Sequence, residues 1–134
     1  MNVIPFKEWR VWFYVDQNDR NVIREWLNEI GASGPDREAL QALIDICEFS
    51  GFPALSHCTL DLGDNFYVFK SRHGGGLHLS PVCYRGPFSD TEITFLAGAT
   101  IERKKLRPRY AKGIAEENLE TLKQVRRRRR EPVT

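Results

Sequence analysis

Residues 65–98, NFYVFKSRHGGGLHLSPVCYRGPFSDTEITFLAG, decide the fold class of this chain. They contain three short runs rich in aromatic and β-branched residues, at 65–71, 77–85 and 92–97. Breaks rich in glycine and proline separate these runs, which is typical of antiparallel strands joined by turns. Pro81 lies inside the middle run, and because proline removes a backbone donor, we expect a bulge or kink there.

The part of the chain before these runs predicts one strand and two helices. Residues 9–15, WRVWFYV, have the composition of a strand, and apolar side chains then recur at helical spacing over 22–30 and over 40–47. Gly31 is placed to end the first helix. Residues 51–64 read as a loop that crosses back to the sheet. The pattern predicts a helical hairpin that covers one face of the sheet.

The charge of the chain is divided unevenly along its length. Residues 101–134 carry 12 basic and 5 acidic side chains, a net charge of +7, whereas residues 1–100 carry 8 and 13, a net charge of −5. The first part resembles an ordinary globular body. The last part has the charge of a surface that contacts an anion such as nucleic acid.

The C-terminal part predicts one more helix and a tail. Pro108 can begin the helix, whereas the five consecutive arginines at 126–130 repel one another, so we expect the helix to fray there into a solvated tail. The predicted order is β-α-α-β-β-β-α, an α+β fold. We expect a single domain at 1–125 and a basic C-terminal tail at 126–134.

Composition argues against several classes of protein. No stretch approaches the roughly 20 apolar residues that span a bilayer, and the N-terminus lacks a secretory pattern, so we expect a cytoplasmic protein without a membrane partner. Cys47, Cys58 and Cys83 are spaced too irregularly for a disulfide framework or a zinc site, which favours free thiols. We expect no cofactor and no metal.

Several local phrases resemble the RelE/ParE toxin superfamily, and within it the HigB-like, phage-derived branch. Residues 66–70, FYVFK, are similar to the family strand apolar-Tyr-Glu-Leu-Arg, and 74–76 to the glycine-rich turn that follows it. Residues 82–84 resemble the end of the next family strand. Residues 96–98 resemble the Leu-x-Gly motif that follows the third strand of the family. At 103–108 the chain has the basic segment and the proline that precede the terminal helix of the family.

The resemblance implies a small twisted, mostly antiparallel sheet packed against an N-terminal helical hairpin, with a C-terminal helix. Many family members are toxins that cut mRNA on the ribosome and are silenced by an antitoxin. The implied partners are therefore the ribosome, mRNA and a helix-turn-helix antitoxin, in a homodimer or a toxin–antitoxin hetero-oligomer. The chemistry needs no metal: the ribose 2′-hydroxyl attacks the adjacent phosphate, assisted by a base, an acid and cations.

The implied site is formed by residues from the sheet and from the segment before the last helix. The candidate catalytic residues are Lys70, Arg72, His73, Arg103 and Tyr110. The candidate RNA- and phosphate-binding residues are Lys104, Lys105, Arg107 and Arg109. His78 is an alternative to His73 as acid or base because histidine titrates near neutral pH. His57 receives no role. Tyr110 could equally pack against the sheet.

The chain departs from the family pattern in two places, which leaves three functions open. Lys70 replaces an arginine of the family, and a second arginine is missing near Pro81. The leading hypothesis is a ribosome-dependent mRNA endoribonuclease that acts as the toxin of a type II toxin–antitoxin system. The alternative is a catalytically silent RelE-fold module that binds a host or phage protein or RNA. A ParE-like gyrase inhibitor is less favoured, since one fold hosts several functions.

Overall fold

A computed structural model describes residues 7–71 and 79–134 of the chain. Three helices and a mostly antiparallel sheet confirm the α+β class. In the described ranges, no helix is long and apolar enough to cross a membrane. The elements in chain order are β1 Arg10–Tyr14, α1 Val22–Glu29, α2 Gly34–Ser50, a 3-10 turn Phe52–Leu55, β2 Thr59–Gly63, β3 Phe66–Phe69, β4 Val82–Arg85, β5 Glu92–Ala97, β6 Thr100–Glu102, β7 Lys105–Arg107, α3 Ala111–Gln124 and β8 Arg129–Arg130.

Six strands form the main sheet in the order β2-β3-β4-β5-β1-β8. β1 runs parallel to β5, with Phe13 opposite Phe95, and the other neighbouring strands are antiparallel. β6 and β7 form a separate hairpin. This hairpin is attached to the sheet through Leu79, which pairs with Ser71 on one side and with Thr100 on the other.

The sheet is covered on both faces. Side chains of a strand alternate between faces, so Phe95 and Leu96 point in opposite directions. Phe95 contacts Phe13 and Phe69 edge to face, with ring centroids 5.6 and 4.7 Å apart, in the core beneath α1 and α2. Leu96 belongs to a second core, which α3 closes with Leu119 and other buried side chains.

Both helices predicted before the sheet strands are confirmed, and both bury side chains in the core on the same face of the sheet. The Asn21 side chain caps α1 by accepting from the Arg24 N–H at 3.1 Å, and Gly31 follows the helix in the left-handed region with φ 64°. The Ser33 hydroxyl caps α2 by accepting from the Asp36 N–H, also at 3.1 Å. Both helices therefore begin at side chains that satisfy free backbone donors.

The predicted order of elements is incomplete. Residues 51–64 were expected to be a loop but contain the 3-10 turn and the edge strand β2. Most side chains of β2 are exposed, on both faces, so burial does not alternate clearly along this strand. The described part of the middle run becomes a strand only at Val82, just after Pro81, and its pairing with β5 is irregular between Val82 and Cys83. A register shift therefore does occur next to the proline.

The prediction that residues 126–130 fray into a solvated tail is wrong for Arg129 and Arg130. α3 ends at Gln124, and Arg129 and Arg130 return to the sheet as β8, paired with β1. The Arg129 side chain is 9% exposed and lies 2.8 Å from a carboxylate oxygen of the buried Glu92. Its guanidinium also lies 4.2 Å from the centroid of the Trp12 ring. The repulsion among the arginines is outweighed by a buried carboxylate and an aromatic face. The division of the chain at residue 125 stays a prediction.

Candidate nucleic-acid interface

The segment 100–109, which we name the basic hairpin, carries all four predicted RNA- and phosphate-binding side chains and also Arg103. Ile101 and Leu106 are opposite each other and pack partly into the core under α3. Because side chains alternate along a strand, Lys105 and Arg107 point to the other side, and both are exposed. The hairpin is thus amphipathic, with a cationic face turned to solvent.

The turn of the basic hairpin is formed by two cationic residues in an unfavourable backbone conformation. Arg103 has φ 50° and Lys104 has φ 65°, between the paired residues Glu102 and Lys105. Two-residue turns with two positive φ angles favour asparagine and glycine. Each residue other than glycine is destabilised by about 1–2 kcal/mol in this left-handed region. Such strain concentrates at functional sites, which singles out this pair.

Few acidic groups neutralise the basic hairpin. Arg107 lies 4.0 Å from Glu102, and both side chains are at least half exposed, so solvent screens this pair strongly. In the described ranges, Arg103, Lys104 and Lys105 have no carboxylate oxygen within 4.0 Å, and neither has the neighbouring Arg109. Five cations face one carboxylate, which is the arrangement expected of a phosphate-binding surface.

Tyr110 lies at the end of the basic hairpin, immediately before α3. Its side chain is 69% exposed, so the alternative that it packs against the sheet is wrong. The adjacent Arg109 is exposed as well. An exposed aromatic ring beside cations can stack on an unpaired RNA base.

Lys70 lies at a cavity of about 450 Å³ between α2 and the end of β3. The Lys70 N–H donates to the Cys58 carbonyl at 2.7 Å, which joins the end of β3 to the segment before β2. His57 lines the same cavity. The sequence assigned no role to His57, and no local signal could have done so, since strand pairing alone brings it to Lys70. Arg72 and His73, as well as His78, lie outside the described residues.

Lys70 and the basic hairpin lie at the same end of the sheet. Ser71, next to Lys70, pairs with Leu79, which in turn pairs with Thr100 at the base of the basic hairpin. Two strand spacings correspond to roughly 10 Å between Ser71 and Thr100. The backbone therefore brings Lys70 near the base of the basic hairpin, and Arg103 and Lys104 lie three and four residues beyond Thr100, at its turn. That their side chains converge on a single phosphate stays a prediction.

The cysteines do not form a reactive cluster. Burial raises the pKa of the Cys47 thiol to about 12, and burial also raises the pKa of the Cys83 thiol well above its usual value, so both stay protonated near neutral pH. Cys58 is half-buried and lines the Lys70 cavity. Across 7–71 and 79–134, no three His, Cys, Asp or Glu side chains are grouped so that they could hold a metal ion.

Comparison with protein-family models gives no match for this chain, and comparison with curated proteins gives none either. We therefore infer the function from the residues and their geometry.

Proposed function

We propose that this chain is a RelE-like mRNA endoribonuclease that acts on ribosome-bound mRNA as the toxin of a type II toxin–antitoxin system. The observation that carries the proposal is the strained turn of the basic hairpin. Arg103 and Lys104 occupy the two positions where asparagine and glycine would be more stable, and both are exposed. A cationic pair retained at a local energetic cost is best explained by phosphate binding.

In the proposed reaction, the ribose 2′-oxygen bonds to the adjacent phosphorus while the bond from phosphorus to the 5′-oxygen breaks. A base removes the 2′-hydroxyl proton, an acid protonates the departing 5′-oxygen, and the product ends in a 2′,3′-cyclic phosphate. Arg103 and Lys104 would stabilise the charge on the phosphorane. His57, which shares a cavity with Lys70, joins His73 as a candidate for proton transfer. Tyr110 would stack on a base.

The turn offers a variant that removes charge without weakening the fold. R103N/K104G replaces two cations by the pair that this turn geometry prefers. We expect its melting temperature to equal or exceed that of the wild type, while its affinity for single-stranded RNA falls. Each lost phosphate contact should lower the slope of log K against log salt by about 0.7, so the double variant should lose about 1.4.

A matched control removes two exposed cations elsewhere. Arg10 on β1 and Arg24 on α1 are both exposed and lie in the acidic first part of the chain, so R10Q/R24Q changes the net charge equally. We expect this control to keep most of the affinity and the salt slope. If R103N/K104G binds RNA with the affinity and salt slope of the wild type, the phosphate-binding role of the turn is wrong.

Growth tests separate toxicity from binding. Expression of the wild type should arrest growth, and R103N/K104G should be tolerated at the same protein level. A wild-type chain that is harmless in several bacterial hosts would contradict the toxin function.

A catalytically silent RNA-binding module is the second candidate, and the two departures from the family pattern favour it. Lys70 stands where the family has an arginine, and a second arginine of the family is missing near Pro81. One lysine offers a single point charge where a phosphorane requires several donors. RNA binding that is sensitive to R103N/K104G, without any cleavage on ribosomes, would identify the chain as this module.

A further inference from the structure

A second cavity, of about 350 Å³, lies where β1 and β5 end side by side. These strands are parallel, and the chain leaves them in opposite directions: after β1 it continues to α1 on one face of the sheet, and after β5 it leads towards α3 on the other. In open sheets with parallel strands, such a reversal leaves a crevice at the carboxyl ends in which ligands bind. We name this cavity the β1–β5 cleft.

An indole ring forms one wall of the β1–β5 cleft. Trp26 of α1 lines the cavity and lies directly against Gly98, which follows β5. A Cβ atom at Gly98 would be only 2.0 Å from the Trp26 Cγ. The absence of a side chain at position 98 therefore lets the ring lie against the backbone just after β5. The half-buried indole offers an aromatic surface inside the cavity.

The polar groups of the β1–β5 cleft are mainly acidic. Asp16, Glu25 and Glu29 line it together with one cation, Arg20, so the lining has a net charge of −2. In the described part of the chain, neither Glu25 nor Glu29 has a cationic nitrogen within 4.0 Å. This charge is opposite to that of the basic hairpin, and it repels phosphate.

Glu29 lies where local helix preferences disfavour a carboxylate, whereas Glu25 lies in the first turn, where the helix dipole favours one. Glu25 and Glu29 are four residues apart on α1, where like charges repel. Glu29 is also the last residue of α1, at the negative end of the helix dipole, and no basic residue lies in that last turn. A cation bound in the cleft would relieve both penalties at once.

We propose that the β1–β5 cleft binds an arginine side chain presented by a partner protein. A guanidinium is planar and can stack on the Trp26 ring while its N–H groups donate to Glu25 and Glu29. The inference is independent of the RNA-directed function. If both hold, the chain binds RNA on the basic hairpin and a basic protein segment in the cleft, through surfaces of opposite charge.

The test is an NMR titration of the full-length, ¹⁵N-labelled chain with N-acetyl-arginine methylamide. We expect saturable shifts of the Trp26 indole N–H and the Gly98 amide. N-acetyl-citrulline methylamide, which has nearly the same shape without the charge, should cause none. E25Q/E29Q should weaken the binding about tenfold, in keeping with the loss of two partly exposed ion pairs. E116Q/E117Q, an equal change on the exposed face of α3, should leave it unchanged.

Three results would overturn the proposal. One is the lack of a saturable shift up to about 50 mM arginine probe, which would place the dissociation constant above that concentration. Another is equal binding of the citrulline probe or of E25Q/E29Q. The third is saturation by guanosine but not by the arginine probe, which would make the cleft a nucleobase site. The single variant E29Q tests the same geometry: it should melt no lower than the wild type, because it removes an unfavourable charge, and it should bind the probe several-fold more weakly.

Discussion

Replacing Arg129 by alanine should destabilise the protein far more than its place in a run of five arginines suggests. Its guanidinium lies 2.8 Å from a Glu92 oxygen, and the two side chains are only 9% and 4% exposed. Removing one partner of a buried ion pair costs about 3–5 kcal/mol. The Phe88 N–H still donates to the other Glu92 oxygen at 2.7 Å, which favours the lower end of that range. Loss of stacking on Trp12 adds about 0.5–1 kcal/mol.

The expected loss in free energy of unfolding for R129A is therefore about 3–4 kcal/mol, measured by urea denaturation. In a thermal melt this corresponds to a decrease of roughly 10–15 °C for a domain of this size. The control is R127A, which removes an exposed arginine of the same run and should change the free energy by less than about 0.5 kcal/mol. Equal effects of R129A and R127A would refute the return of the chain to the sheet as β8.

Three further predictions concern the three cysteines and Gly98, which lines the β1–β5 cleft. Cys58 should react with a thiol reagent in the native protein, whereas Cys47 and Cys83 should react only on unfolding, because burial raises the pKa of each thiol. Since the pKa of Cys47 rises from 9.0 to about 12 on folding, ionisation above pH 9 favours the unfolded chain. The free energy of unfolding in reducing buffer should therefore fall by up to about 1.4 kcal/mol per pH unit for this thiol, and C47A should show a shallower decrease. G98A should lower the melting temperature markedly, because its Cβ would overlap the Trp26 ring.

Elements with strong local signals could be predicted from the sequence. α1 and α2 each bury one stripe of apolar side chains, including Leu27 and Ile44, and Gly31 adopts the left-handed conformation that ends a helix. The aromatic run before Asp16 forms the internal strand β1, in which the neighbouring side chains Phe13 and Tyr14 belong to different cores. In these elements the local pattern and the tertiary packing favour the same structure.

The remaining elements depend on contacts between distant residues. β8 forms because Arg129 meets Glu92, 37 positions earlier in the chain, and no local pattern of arginines indicates this pairing. Likewise, the sequence identified Lys70 as a candidate but not His57, because only the folded sheet brings them to one cavity. The unfavourable φ angles of Arg103 and Lys104 also follow from the two-residue turn, which is visible only once β6 and β7 pair.

The most direct test of the proposed function is a cleavage assay with purified protein, ribosomes and a 5′-labelled mRNA. We expect the wild type to cut the mRNA only when it is bound to ribosomes, leaving 2′,3′-cyclic phosphate ends. The R103N/K104G variant should cut about a hundredfold more slowly, as expected when charge stabilisation of the transition state is lost. An mRNA that stays intact with folded wild-type protein bound to the ribosome would show that the chain is not a ribosome-dependent endoribonuclease.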